Sequence, residues 1–205
     1  RESGRMTHLP IRLGFLFALS VILATSPVVL AQRQADPTQD VPPALTEYQG
    51  RRIATTMHYR GAPWLVRDTR EREERCSLML ANLGVKPGMT VCDIGCGNGY
   101  YSLQLAEMVG PNGRVLAVDI QAEMLRMLRQ RAAKKGVSNI QPILSSPHNP
   151  NLPAGEVDLI LLVDVYHEFS HPEHMLAAMR QSLSPSGLIA LLEYREEDPD
   201  VPIKP

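Results

Sequence analysis

The feature that most restricts the fold is a regular alternation of short apolar runs and helical segments between residues 68 and 193. One run, Val157–Val163, is almost continuously apolar, which is typical of a strand buried on both faces of a parallel sheet, and residues 188–193 predict another buried strand. The predicted strands are Thr90–Ile94, Arg114–Asp119, Ile140–Leu144, Val157–Val163 and residues 188–193, and the predicted helices are Tyr100–Val109, residues 121–135 and residues 172–184. This alternation predicts an α/β fold, with a doubly wound, mostly parallel sheet between two helical layers. Pro142 restricts the third strand to edge or irregular pairing.

Composition excludes several functional classes. The chain has 205 residues, 44% hydrophobic and 21% charged, so it is long enough for one ordinary globular domain with additional segments. A net charge of −1 provides no basic field for nucleic acid, and 5% aromatic residues leave little for base stacking, so we expect no nucleic-acid partner. Three cysteines are too few for a disulfide framework and are expected to be buried thiols.

The first 31 residues have the pattern of a secretory signal peptide whose true start is Met6. A weakly basic beginning is followed by an uncharged apolar run at residues 13–25, and Val29-Leu30-Ala31 forms a small-residue cleavage site. We therefore expect an exported protein, either periplasmic or secreted. The alternative is that residues 13–32 remain uncleaved as a membrane anchor, which would be the chain's one route to a membrane.

Composition also divides the rest of the chain. Residues 32–56 hold Pro, Gln and Asp without hydrophobic periodicity, which predicts a disordered linker. Residues 57–195 carry the predicted strands and helices and form the expected domain. Residues 196–205 are a polar, Pro-rich tail.

An amphipathic helix is expected where regular structure begins. Asp68 and Glu71 have the spacing of a capping box, and an apolar stripe follows at Cys76, Met79, Leu80 and Leu83. The charged run at residues 70–75 is interpreted as the solvent-facing side of this helix. Upstream, residues 58–64 include the single tryptophan, Trp64. That segment is either part of a lid over a ligand or a turn whose tryptophan fills the edge of the core.

A glycine-rich loop between the first strand and the first helix of the alternating region is the strongest functional signal. Gly95, Gly97 and Gly99 would let the backbone turn tightly and approach a ligand. The carboxylate of Asp93, just before the loop, would repel a pyrophosphate but attract an ammonium group. Asp119 ends the second strand, about where an acid holds ribose hydroxyls in doubly wound folds. Together these residues predict a ligand with a cationic amino end and a ribose.

This pattern makes residues 80–195 similar to class I S-adenosylmethionine (SAM)-dependent methyltransferases. The resemblance implies a Rossmann-like fold, SAM as cofactor, and transfer of its methyl group by in-line displacement. It places Asp93 and the glycines around the methionine moiety, Asp119 at the ribose and Ile120 beside the adenine. Ser146 occupies the stretch where many members carry an adenine-binding acid. The cofactor-binding residues expected on this basis are Asp93, Gly95, Gly97, Gly99, Asp119, Ile120, Ser146 and Asp164.

The resemblance also implies seven strands, of which this sequence provides five. The two strands expected after residues 188–193 are missing, so we expect a C-terminally truncated chain.

The segment after the fourth predicted strand supplies the catalytic candidate. It reads Asp164-Val165-Tyr166-His167, a pattern more similar to the small-molecule branches of the family than to those acting on nucleic acids. His167 titrates near neutrality and would take a proton from a hydroxyl, amine or thiol acceptor. The alternative is that His167 has no catalytic role and only forms hydrogen bonds within a helix-capping loop.

The sequence leaves two alternative functions. His167 and His171 match the spacing of a zinc hydrolase motif, with Glu193 as a conceivable third ligand. Pro172 argues against that interpretation because it places a helix start between the two histidines, so we expect no metal ligands. The second alternative is an exported, non-catalytic module that keeps the SAM pocket.

Overall fold

The computed structural model describes residues 41–193. The predicted signal peptide and anchor at residues 1–32, the first part of the predicted linker and the tail at residues 196–205 lie outside the described residues. Within residues 41–193, no helix is long and apolar enough to span a membrane.

A small antiparallel hairpin precedes the domain, in a region that was predicted to be a disordered linker. Strand β1 (Glu47–Tyr48) pairs with β2 (Arg51–Arg52). The turn residues Gln49 and Gly50 have φ values of 50° and 76°, as two-residue hairpin turns require. The prediction of a disordered linker over residues 32–56 is therefore wrong for this part. Two-residue strands are too short to show any periodicity in the sequence.

The central sheet has five parallel strands, as predicted. They are β3 (Thr90–Ile94), β4 (Arg114–Asp119), β5 (Ile140–Leu144), β6 (Val157–Val163) and β7 (Leu183–Leu192), in the spatial order β5-β4-β3-β6-β7. The strand order changes direction between β3 and β6, and the carboxyl ends at such a switch point form a ligand crevice. Pro142 lies in the edge strand β5, as expected.

Helices cover both faces of the sheet and complete a three-layer α/β fold. They are α1 (Arg70–Glu74), α2 (Cys76–Asn82), α3 (Tyr100–Val109), α4 (Ala122–Lys135) and α5 (Pro172–Ser182), with 3-10 helices at Tyr59–Val66 and Tyr166–Glu168. Helices α2 and α3 pack on the face that carries Val91 and Leu161, and α5 packs on the face that carries Ile160 and Leu162. The three cysteines are buried free thiols, as predicted.

The last strand differs from its prediction in length and burial. The sequence predicted a buried strand at residues 188–193, but β7 begins at Leu183 and forms an edge of the described sheet. Leu188 is consequently 66% exposed. An apolar run therefore did not distinguish a central strand from an edge strand.

The charged run at residues 70–75 is not simply solvent-facing, which corrects a second interpretation. Arg75 adopts a left-handed conformation with φ of 50° and separates α1 from α2. Arg70 is buried, its guanidinium lies 4.3 Å from the ring centre of Tyr100, and its Nε donates to Glu74 at 2.7 Å. Its Nη1 also donates to the carbonyl of Leu65 at 2.6 Å. Arg70 thus connects the 3-10 helix Tyr59–Val66 to the domain.

The contrast between the centre and the edge of the sheet gives a stability prediction. Leu161 in β6 is fully buried, so Leu161→Ala should lower the free energy of unfolding by about 2–5 kcal/mol through lost burial and a residual cavity. Leu188→Ala removes the same atoms from an exposed site and should cost less than about 0.5 kcal/mol. Urea unfolding measures both values, and equal losses would contradict the assigned burial.

Candidate cofactor and active site

The loops that follow β3 and β6 meet at the carboxyl edge of the sheet. Gly95 follows β3 with a φ of 68°, and a Cβ atom there would lie 2.4 Å from Cγ2 of Val165. Val165 lies just beyond β6, next to Asp164, whose φ is 50°. This close approach of two loops is possible because residue 95 has no side chain, and it places the predicted site at the switch point.

The other two loop glycines are also required by their surroundings. A Cβ on Gly97 would lie 2.5 Å from Cδ1 of Leu65, and one on Gly99 would lie 2.0 Å from Cδ1 of Leu128. Both have positive φ values, 53° and 84°. Gly99 is the N-cap residue of α3, which begins at Tyr100. The glycines thus shape a tight strand-to-helix turn.

Asp119 joins the ends of two strands. Its Oδ2 accepts the backbone N–H of Gly97 at 2.9 Å, and its Oδ1 accepts that of Gln121 at 2.8 Å. Burial raises the pKa of this carboxyl, although the backbone donors oppose that effect. A carboxylate accepts about four hydrogen bonds, so Asp119 retains the capacity to accept ribose hydroxyls. Ile120, the next residue, is 41% exposed and presents an apolar surface at this edge, and its predicted contact with an adenine stays a prediction.

Asp93 is the deepest charge of the site. The residue is only 3% exposed, and the hydroxyl of Ser102 donates to its Oδ2 at 2.5 Å. Burial raises the pKa of Asp93 to about 7, and the nearby Asp119 charge contributes in the same direction, whereas the Ser102 hydrogen bond opposes it. A buried carboxylate of this kind would be stabilised in its charged form by a cationic group. Sequence reasoning missed Ser102, which lies one turn into α3.

Ser146 lies at the same edge but is engaged locally. Its neighbour Ser145 donates its N–H to the carbonyl of Asp119 at 3.0 Å. The hydroxyl of Ser146 instead accepts the N–H of Asn149 at 3.1 Å within a short turn. Its predicted role at the adenine stays a prediction.

His167 lies on the 3-10 helix Tyr166–Glu168, directly after β6. Its Nδ1 lies 2.6 Å from Oε2 of Glu193, and this hydrogen bond raises the pKa of His167 although partial burial opposes it. Glu168 and Asp164 add negative charge nearby and act in the same direction. The structure therefore brings the predicted residues His167 and Asp164 together at the carboxyl edge. Sequence reasoning treated Glu193 only as a candidate metal ligand and did not predict its hydrogen bond with His167.

A segment that we name the strap, residues 57–66, crosses this edge. The backbone of Met57 contacts two loops: its N–H donates to Glu168 Oε1 at 3.2 Å, and its carbonyl accepts Gln121 Nε2 at 2.9 Å. Asn98 Nδ2 donates to the carbonyl of Ala62 at 3.0 Å. Trp64 is 37% exposed, and the Arg67 guanidinium lies 4.0 Å from the centre of its ring. The strap has the position of a lid over the glycine loop.

The histidine pair does not have the geometry that the zinc interpretation requires. Helix α5 begins only at Pro172, after His171. The ring nitrogens of His171 contact the hydroxyl of Ser170 and the carbonyl of Pro42, whereas His167 faces Glu193. In the part of the chain that the structure describes, no group of three His, Cys, Asp or Glu side chains could hold a metal ion.

Comparisons with known proteins agree on the family. A family model described as a methyltransferase domain matches residues 85–201. The ubiquinone/menaquinone biosynthesis C-methyltransferase UbiE of Ectopseudomonas mendocina (strain ymp) is 33% identical over 112 residues, which cover 54% of this chain and 44% of that protein. The UbiE protein of Cupriavidus taiwanensis is 33% identical over 115 residues, covering 56% and 47% respectively. The chain thus spans about half the length of the curated relatives it matches.

Solved structures show the same relationship. A SAM-dependent methyltransferase from Aquifex aeolicus is 30% identical, with a TM-score of 0.67 and coverage of 71% of this chain and 77% of that one. A methyltransferase of Methanococcus maripaludis, described as putative and dependent on SAM, is 18% identical, with a TM-score of 0.55 and coverage of 68% and 66%. At that identity the second structure supports the fold alone.

The raised pKa of Asp93 gives a pH prediction. Between the unfolded pKa of about 3.9 and the folded value of about 7, the folded protein holds a proton that the unfolded chain has released. The contribution of Asp93 to the free energy of unfolding should therefore fall as pH rises from about 4 to 7, by at most about 1.4 kcal/mol per pH unit.

Asp93→Asn should lack this slope because an amide does not titrate. Urea unfolding of both proteins between pH 4 and 8 measures the free energy of unfolding. The readout is the difference in this free energy between the wild type and the variant at each pH. A difference that does not change with pH would contradict the raised pKa.

Proposed function

We propose that this chain, which belongs to the methyltransferase domain family and is a SAM-dependent methyltransferase, transfers the methyl group to a small-molecule acceptor with His167 as general base. The observation that carries the proposal is the position of His167. Its imidazole is half-buried at the carboxyl edge, on the loop that contacts the glycine turn through Val165. A general base must lie beside the cofactor crevice, and this loop borders it.

The residues that would hold SAM are those at the switch point. Asp119 would accept ribose hydroxyls, Ile120 would cover one face of the adenine, and Asp93 would favour the cationic amino end. The positive φ values of Gly95 and Gly97 let the backbone lie close to the ligand. SAM supplies an electrophilic methyl group on a sulfonium, which the acceptor takes by in-line displacement.

His167 would act on the acceptor. As the acceptor's lone pair forms the new bond to carbon, its hydroxyl, amine or thiol proton passes to the imidazole, while the breaking bond leaves its electron pair on sulfur. The protein's larger contribution is to orient the reactants and to exclude water, for which the strap is well placed.

A small, uncharged or cationic acceptor suits the surroundings of His167. The carboxylates of Asp164, Glu168 and Glu193 all raise the pKa of its imidazole through their negative charge, and they would repel an anionic group in the acceptor. The strap occupies part of the edge and leaves less room for a macromolecule. The UbiE relatives are named for ubiquinone and menaquinone biosynthesis, which supports a small-molecule acceptor.

The role of His167 is tested by His167→Gln. We expect kcat to fall about 100-fold or more, a usual loss on removal of a general base, while SAM affinity stays unchanged. His174→Gln, on the exposed side of α5, is the matched control and should keep kcat within about twofold of the wild type. The assay measures transfer from radiolabelled SAM to a panel of small hydroxyl, amine and thiol compounds.

Two outcomes would contradict the proposal. If His167→Gln has the same kcat as the wild type, His167 is not the general base. Binding of SAM without transfer to any acceptor in the panel would instead favour a non-catalytic module.

A further inference from the structure

We propose that Glu193 is a positioning residue that fixes the orientation and the proton of the His167 imidazole. This inference rests on the proposed function, because it assigns Glu193 a role through the base named there. Glu193 does not itself need to contact substrate or cofactor. It would hold the ring so that Nε2, the other ring nitrogen, is free to receive the acceptor's proton.

The parallel pairing of two strands brings Glu193 to this position. Leu192, the last residue of β7, is in register with Val163, the last residue of β6. The N–H of Asp164 also donates to the carbonyl of Leu192 at 2.9 Å. Glu193 and the His167 loop are therefore the next residues beyond two paired strand ends. The pairing of β6 with β7 therefore brings Glu193 next to the segment that carries His167.

Glu193 holds the loop at two points. Its Oε1 accepts the backbone N–H of Tyr166 at 2.8 Å, and its Oε2 lies 2.6 Å from His167 Nδ1. Both oxygens of one carboxylate are thus directed at consecutive residues. This arrangement fixes the carboxylate, and the carboxylate in turn fixes the rotation of the imidazole.

The backbone of His167 is held by a second set of contacts, from the segment that contains the hairpin. Its carbonyl accepts the N–H of Ala54 at 2.9 Å and Nη1 of Arg51 at 3.0 Å. The Arg51 guanidinium also lies 5.4 Å from the ring centre of Tyr166. With the backbone fixed by the hairpin segment, Glu193 mainly determines the orientation and charge of the ring.

The chemistry of the contact determines which nitrogen carries the proton. An ionised carboxylate only accepts hydrogen bonds, so Nδ1 must carry hydrogen at this distance. Neutral His167 then has its lone pair on Nε2, the form that a general base needs. Although partial burial opposes it, the hydrogen bond with His167 holds the pKa of Glu193 below its usual value, so the carboxylate stays ionised.

The test is Glu193→Gln in the full chain, with kcat followed as a function of pH. The wild-type rate should rise with pH as His167 loses its proton. Asp164 and Glu168 also act on the ring through their charge and remain in the variant, as does Arg51, which donates to the backbone carbonyl of His167. Removal of the Glu193 charge should therefore lower the pKa of His167, move this rise to lower pH and reduce kcat at least about tenfold. The loss should stay below the ~10⁴-fold found when the carboxylate of a catalytic triad is replaced.

Glu156→Gln is the matched control. It removes the same charge at the opposite edge of the sheet, where Glu156 is exposed and pairs with Arg114. This variant should keep the pH profile and kcat of the wild type. A purely structural role of Glu193 would lower kcat or thermal stability without moving the pH at which the rate rises, and that result would overturn the proposal.

A second measurement keeps the inference separate from the proposed function. Nitrogen-15 NMR of the histidine rings reports the tautomer and the pKa of His167 without any turnover. We expect the Nδ1–H tautomer in the wild type and a lower His167 pKa in Glu193→Gln. An unchanged pKa or the Nε2–H tautomer in the wild type would overturn the role of Glu193. If NMR gives the expected tautomer and pKa change but His167→Gln keeps full activity, only the assignment of His167 as general base is contradicted.

Discussion

The arrangement of the site depends on one carboxylate that accepts two backbone amides. Asp119 holds the N–H of Gly97 and the N–H of Gln121, so it fixes the loop after β3 against the loop after β4. Gln121 then contacts the strap, since its side chain accepts the N–H of Tyr59 at 2.8 Å and donates to the carbonyl of Met57. A single buried charge therefore connects the glycine turn, the expected ribose position and the segment that covers them.

The site gathers negative charge where an ordinary soluble domain would avoid it. Asp93 and Asp119 are buried near each other, and burial is the main reason that the pKa of each is raised. In the segment after β6 and at the end of β7, the carboxylates around His167 raise its pKa. Uncompensated carboxylates destabilise a fold. Their concentration at one edge is consistent with binding of SAM, whose sulfonium and ammonium groups are both positive.

The sequence predicted the features that repeat or that depend on local chemistry. The five strands, the glycine turn and the position of Asp119 at the end of its strand follow from apolar periodicity and from motif spacing. It did not predict the hairpin, whose strands are too short for periodicity, or the burial of Arg70, which depends on distant tyrosine rings. The pairing of His167 with Glu193 was also missed, because it follows from the pairing of β6 with β7 in the sheet. Contacts between residues far apart in sequence are set by strand order, which the apolar pattern alone does not specify.

Calorimetric titration of SAM tests whether Asp119 organises a SAM site at the carboxyl edge. Asp119→Asn should lower the affinity at least about tenfold, because an amide offers one acceptor oxygen in place of two and carries no charge. Asp158→Asn is the matched comparison, since Asp158 also accepts a backbone amide, that of Thr90 at 2.9 Å, but at the amino end of the sheet. Asp158→Asn should bind SAM with wild-type affinity. Equal affinities in all three proteins, or no binding of SAM by the folded wild type, would contradict the role of Asp119 in a SAM site.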